Sequence, residues 1–315
     1  CTSSLNFLPV LQWFPGHMNK GLKQMQRQLK SVDCVIEVHD ARVPISGRNP
    51  NFRHTVSGLK PHIFILNKTD LADKSYNEMA KKYLQQEGFS HIINTNFKNQ
   101  QCQGMKKILP LAKELISKSD RYNRSHQNEF SLMIIGVPNV GKSSLINRLR
   151  NRHLGKSNAT AVGAIAGITR SVLTKIKISE SPPVYLLDTP GVLTPNVPNV
   201  EVALKLALVS CLQDHLVGSE IIADYLLYWL NKENRFEYVK KLGIEEPSDD
   251  IMEVLTSAAI KLGKTRKIKN FDNQIIVRPD LNQAAMHFVK IFRTGELGPV
   301  CLDADIIRNS DSNRF

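Results

Sequence analysis

The sequence predicts an α/β fold, a doubly wound sheet, followed by a small all-α C-terminal domain. Two observations carry the first half. Apolar runs within 32–42, 61–70, 132–135 and 183–191 lead into polar loops and alternate with helical patterns, as strands of a sheet covered by helices do. One of those runs opens directly into a glycine-containing loop and then a helix, the order that a phosphate-binding turn requires. The second half rests on residues 200–216, 219–232, 250–262 and 280–294, which carry helical periodicity, with one short extended piece at 274–277. The expected division is 1–195 for the sheet domain and 196–315 for the helical one.

The stretch 130–149, FSLMIIGVPNVGKSSLINRL, organises the chain. Gly136, Gly141, Lys142 and Ser143 fit G-x-x-x-x-G-K-[ST]. Glycines let the backbone turn its N–H groups inward around phosphates, and the following helix aims its positive end at them. Gly136, Asn139, Val140, Gly141, Lys142, Ser143 and Ser144 are therefore the expected phosphate cradle. Lys142 is placed to reach the β- and γ-phosphates and Ser143 to ligate Mg²⁺.

Before this loop the chain reads as an irregular tail (1–12), a turn on Pro15 and Gly16, and an amphipathic helix. In that helix Leu22, Met25, Leu29 and Val32 form an apolar stripe, and Lys20, Lys23, Arg27 and Lys30 a basic one. The segment 61–70, a strand leading into a polar loop, ends in N-K-x-D, with Asn67, Lys68 and Asp70. An aspartate so placed accepts from the ring N–H and exocyclic amine of guanine. Adenine offers no such donor pair and would leave the carboxylate unpaired. Beside a phosphate-binding loop the signature selects a guanine nucleotide, GTP or GDP, over ATP, which argues against a small-molecule kinase. Thr95 and Asn96, after a helix at about 75–87 and a strand at 91–96, stand where a base-buttressing loop belongs.

After the phosphate loop, residues 151–168 are rich in Gly, Ala, Asn and Ser and read as a mobile loop ending at Thr169. Thr169 is the threonine placed to give Mg²⁺ a second contact. The segment 183–191 reads as a buried strand ending in D-x-x-G: Asp188 would hold the Mg²⁺ water shell, and the Gly191 N–H would sense the γ-phosphate. Base recognition thus precedes phosphate binding, and D-x-x-G comes last. Joining old termini through the 118–129 linker and cutting after D-x-x-G produces that order. The fold expected is a circularly permuted P-loop GTPase.

The chain has 315 residues, 42 Lys+Arg against 29 Asp+Glu, and a net charge of +13. That balance favours a polyanionic partner such as RNA or an anionic membrane surface. Cys1, Cys34, Cys102, Cys211 and Cys301 are scattered and form no C-x-x-C, which fits a reducing compartment. No apolar run approaches the ~18 residues of a membrane span. A basic stretch, Lys264, Arg266, Lys267 and Lys269, lies between the C-terminal helices.

Together these residues resemble the circularly permuted ribosome-assembly GTPases of the ribosome biogenesis GTPase A type. The marks are WFPGHM at 13–18, VDCVIEVHDARVPISGRNP at 32–50, NKTDL at 67–71, GVPNVGKSSLIN at 136–147 and DTPGVL at 188–193. The wording at 32–50, 212–220 and 223–232 is similar to that of the family's mitochondrial members. The resemblance covers nearly the whole chain. It implies an rRNA-binding C-terminal domain and action on the maturing mitochondrial large ribosomal subunit. It also implies a matrix location with the inner-membrane surface as a peripheral contact, and a transit peptide absent from this chain. It further implies that His17 places the attacking water and that Asn139 ligates K⁺ beside the phosphates. Many GTPases have a water-orienting glutamine after D-x-x-G. Here that position is Val192, so slow turnover by the free protein and stimulation by the ribosome are expected. Where the family commonly has Pro before the Gly-x-Thr of its mobile loop, this chain has Ile165 and Ala166. The reading that competes with a hydrolytic switch is an RNA-binding module locked by GTP, with hydrolysis incidental.

Overall fold

The computed structural model describes residues 29–48, 60–121, 124–155, 174–188, 197–269 and 275–312. Among these the chain forms two compact units, 1–212 with 300–315, and 213–299.

The first unit is built on a six-stranded sheet of order β3-β2-β1-β4-β6-β5. Its strands are β1 (Cys34–Asp40), β2 (His62–Asn67), β3 (Ile92–Asn94), β4 (Phe130–Ile135), β5 (Thr174–Glu180) and β6 (Pro183–Asp188). Every pairing is parallel except β5 with β6. In β1 and β4, Val35, Ile36, Val38, Leu132, Met133, Ile134 and Ile135 are all buried. Continuous burial is what a parallel strand covered on both faces requires. Helices α1 (Asn77–Gln86), α2 (Gln103–Ser117) and α3 (Lys142–Leu154) alternate with these strands. In α2, Met105, Ile108, Leu109, Ala112 and Ile116 make one buried stripe, the 3–4 spacing of an amphipathic helix.

A buried carboxylate inside this sheet is paired with two histidines. Glu37, on buried β1, lies 2.7 Å from His39 and 3.0 Å from His62. Burial pushes its carboxyl up, but the two imidazoles outweigh burial and hold it at about 2. The 118–129 linker is tied to the sheet through Arg124. Asp33 accepts from Arg124 Nε at 3.1 Å and from the Ser131 N–H at 2.7 Å, just before β1 and just inside β4.

Three expectations need correction. The helical run anticipated at 200–216 is two helices, α4 (Val200–Leu208) and α5 (Asp214–Val217). Ser210 between them has φ 64°, which an α-helix cannot contain. The division falls at 212/213 rather than 195/196, and the last residues return to the first unit. The return is held locally. Val300 N–H donates to Leu71 O at 3.0 Å, the Asp73 N–H to Val300 O at 3.0 Å, and Leu302 N–H to Arg42 O at 2.9 Å. Asp303 accepts from the Ile45 and Ser46 N–H groups, each at 2.8 Å, and α10 (Ala304–Ser312) packs Ala304 and Ile307 against Ala80.

The second unit is not wholly helical. Besides α5 it contains α6 (Ser219–Lys232), α7 (Glu237–Leu242), α8 (Ile251–Lys261) and α9 (Leu281–Thr294), with an antiparallel ribbon of β7 (Thr265–Lys269) and β8 (Ile275–Pro279). Asp250 and Asp280 cap α8 and α9 by accepting backbone N–H groups, and Gly295, at φ 87°, ends α9. Tyr238, fully buried, donates to Asn231 Oδ1 at 2.8 Å. Among the described residues no helix is long and apolar enough to cross a membrane.

Of the amphipathic helix expected near the start, Leu29–Ser31 form a short 3₁₀ turn and the earlier residues lie outside those described. The tail and the turn expected at 13–18 are likewise outside them; of the loop expected at 151–168, residues 151–154 are the end of α3 and those beyond 155 are outside the described residues.

Candidate nucleotide site

The carboxyl ends of β2, β1, β4 and β6 carry the motifs, the edge at which open α/β sheets bind ligands. At the end of β4 the chain turns through residues 136–141 with φ 146° at Gly136, 58° at Asn139 and 110° at Gly141. Glycine is demanded here by close approach as well as by φ. A Cβ at Gly136 would meet Val38 O on β1 at 2.3 Å, and one at Gly141 would meet the Asn67 side-chain nitrogen at 2.5 Å. Lys142 opens α3 and is buried; its Nζ donates to Gly136 O at 3.1 Å and Val137 O at 3.0 Å. The ammonium is thereby folded back over the loop. Ser143 and Ser144 are half-buried on the first turn of α3, and Val140 is buried beneath the loop. Asn139 Nδ2 donates to Ser210 O at 2.9 Å, so its amide is oriented by the break between α4 and α5.

Asn67 joins the two motifs. Its Nδ2 donates to Val140 O at 2.8 Å, while its Oδ1 accepts from Phe97 N at 3.1 Å and from Thr95 Oγ1 at 3.3 Å. Thr95 is fully buried and its carbonyl accepts from Thr69 Oγ1 at 3.0 Å. Asn96 folds onto its own turn, its Oδ1 accepting from Lys98 N at 2.9 Å. Arg148 of α3 ties the same loop from the other side, donating to Phe97 O at 2.9 Å. Asp70 stands exposed at the rim, where a carboxylate can accept from a base.

Lys68 adopts φ 63°, an uncommon conformation for a side chain with a Cβ. An ion pair holds it there: its Nζ lies 2.8 Å from Asp40 at the end of β1. Arg42 adds two guanidinium bonds to Asp40, at 2.9 and 2.8 Å. Burial pushes the Asp40 carboxyl up, but Arg42 and Lys68 beside it hold it well below the usual carboxylate range. Motif spacing alone gives no part to Asp40, Arg42, Phe97 or Arg148. The sequence signal for Asp40 and Arg42 is the place of D-A-R at a strand end, where the register pairs Asp40 with Asn67.

Asp188 ends β6 in register with Ile134, so its backbone stands one residue short of the end of β4 beside the phosphate loop. His17, Thr169 and Gly191 lie outside the described residues.

Residues 131–271 match a family described as 50S ribosome-binding GTPase. An Aedes aegypti protein named mitochondrial GTPase 1 is 59% identical over 94% of each chain. A Bos taurus protein named mitochondrial ribosome-associated GTPase 1 is 50% identical over 95% of this chain and 90% of that one. The chain belongs to this family of mitochondrial GTPases. Among solved structures, GNP-bound YlqF from T. maritima is similar at 25% identity and a TM-score of 0.55, covering 90% of this chain and 97% of its own. As a mitochondrial GTPase of this family, the chain binds guanine nucleotide and hydrolyses GTP. The permuted order of its motifs is that of the fold it shares with YlqF.

Proposed function

We propose that this mitochondrial GTPase is a GTP-hydrolysing switch that docks on the maturing mitochondrial large ribosomal subunit in the matrix and promotes its assembly. The observation that carries the switch is the Asn67 bond to Val140 O. It makes the base-reading loop and the phosphate loop one rigid cradle. The ribosomal partner is supported by the 50S ribosome-binding description of the matching family and by the ribosome-associated name of the Bos taurus relative.

In this reading Asp70 pairs with guanine, buttressed by Thr95 and Asn96. The inward backbone of 136–141 and the first turn of α3 hold the phosphates, with Lys142 as counter-charge. Gly136 and Gly141 let this loop sit directly against Val38 O and the Asn67 side chain, where a Cβ would clash. Ser143, Thr169 and Asp188 would hold Mg²⁺ and Asn139 would hold K⁺; these ions supply positive charge against the phosphates. The Gly191 N–H senses the γ-phosphate, and its loss of contact after hydrolysis releases the switch. Val192 offers no hydrogen bond to water, so His17 or a ribosomal group orients the nucleophile. The second unit is read as the RNA-binding one, and the inner membrane as a peripheral neighbour.

Co-sedimentation with purified mitochondrial large subunits tests the docking. Binding in a non-hydrolysable GTP analogue, and loss of it in GDP, is expected. Equal sedimentation in both nucleotides overturns the switch and leaves an RNA-binding module whose docking does not depend on the nucleotide.

A further inference from the structure

The ribbon of the second unit presents cations on both of its faces. Its register sets Arg266 directly opposite Arg278, Lys267 opposite Val277 and Lys269 opposite Ile275. Directly opposed residues share a face and successive residues alternate. The two arginines therefore mark one face, and the two lysines with Val277 and Ile275 mark the other. All four cations are exposed, and among the described residues none has an ion-pair or hydrogen-bond partner for its side chain. Ile275 and Val277 are 65% and 56% exposed.

This arrangement is costly in the free protein. Like charges directly opposite destabilise an antiparallel pair, and a two-stranded ribbon is marginal by itself. An anion seated between two guanidiniums reverses the sign, because each can donate a fork of N–H groups to phosphate oxygens.

We propose that this ribbon is an RNA-docking element that inserts between two stretches of RNA backbone. Arg266 and Arg278 grip phosphate on one side, Lys267 and Lys269 on the other, and Ile275 and Val277 pack against sugar and base edges. The inference rests on the ribosomal reading above and names the surface through which it works. A flat anionic membrane meets one face of a ribbon. Cations on both faces fit a partner that passes on either side, as the two backbones of a folded RNA do. The net charge of +13 adds long-range attraction to the same polyanion.

The test uses the full chain and a fluorescein-labelled RNA hairpin with an internal loop, titrated over a KCl series. Arg266→Gln with Arg278→Gln should weaken binding about tenfold and lower the slope of log Kd against log salt by about 1–2. GTP affinity should not change, and Tm should hold or rise because the repulsion is gone. Lys267→Gln with Lys269→Gln should give a similar loss from the opposite face. RNA affinity and salt slope unchanged in both variants would overturn the proposal. So would loss of binding to cardiolipin-containing vesicles with RNA binding intact, which would reassign the ribbon to a membrane. Large-subunit sedimentation of the same proteins separates the two readings. If every protein sediments in the GTP analogue with RNA affinity unchanged, the ribbon is wrong and the switch stands. If wild type fails to sediment but the variants lose RNA affinity, the ribbon stands and the ribosomal switch is wrong.

Discussion

Asn67 and Asp70 sit three residues apart in one motif and do different physical work. Asn67 is buried and its amide is spent inside the protein, on Val140 O, Phe97 N and the Thr95 hydroxyl. Asp70 is exposed. Asn67→Ala leaves a buried carbonyl and a buried N–H without their partner, at roughly 1–3 kcal/mol each. Calorimetric Tm and GTP affinity should then fall together, the affinity on the order of 100-fold. Asp70→Asn should leave Tm alone. Its amide swaps an acceptor for a donor, so GTP should bind on the order of 100-fold more weakly and xanthosine triphosphate, with an acceptor in place of the exocyclic amine, more tightly. A Tm drop in Asp70→Asn equal to that of Asn67→Ala would contradict this division of labour. Both residues were legible in the sequence because N-K-x-D is contiguous. Asp40, which fixes Lys68 from 28 positions upstream, was not, since its role depends on which strand lies beside β2.

At the scale of elements, strands and most helices follow from local pattern. The apolar runs 63–66 in β2 and 132–135 in β4 are unbroken, and the caps at Asp250, Asp280 and Gly295 are readable as residue types. The break between α4 and α5 is different. The apolar period continues through residues 206–212, so nothing local announces Ser210 at φ 64°. The short helices α7 and α10 span too few turns to show a period. Most distant from local reading is Asp303, whose carboxylate serves the Ile45 and Ser46 N–H groups across a separation of 258 and 257 residues. Lys205 lies 3.7 Å away, yet burial pushes the Asp303 carboxyl up from its ordinary value. Asp303→Ala should cost about 2–4 kcal/mol, because it strands two backbone donors and weakens the environment of a buried lysine. Urea unfolding of the first unit's transition measures it. A loss below 0.5 kcal/mol, as for an ordinary surface site, would mean the return segment does not hold the 41–48 loop.

Across the whole molecule, the motif order gave the permutation directly, and the parallel sheet with its one antiparallel edge strand bears out the doubly wound class. What composition and motif could not give is that the second unit, 213–299, is inserted in the chain of the first. Its entry follows Ser210, whose carbonyl meets the phosphate loop through Asn139. Its exit is Val300, paired to the residues that follow Asp70. Both chain connections thus leave the first unit from residues bonded to, or next to, the nucleotide motifs. The most direct measurement is GTP hydrolysis by the full chain in KCl, with and without purified mitochondrial large ribosomal subunits. Slow turnover alone, rising at least about tenfold with the subunits as a supplied catalytic group can produce, is the predicted result. Turnover that is fast without them, or unchanged by them, would contradict the account.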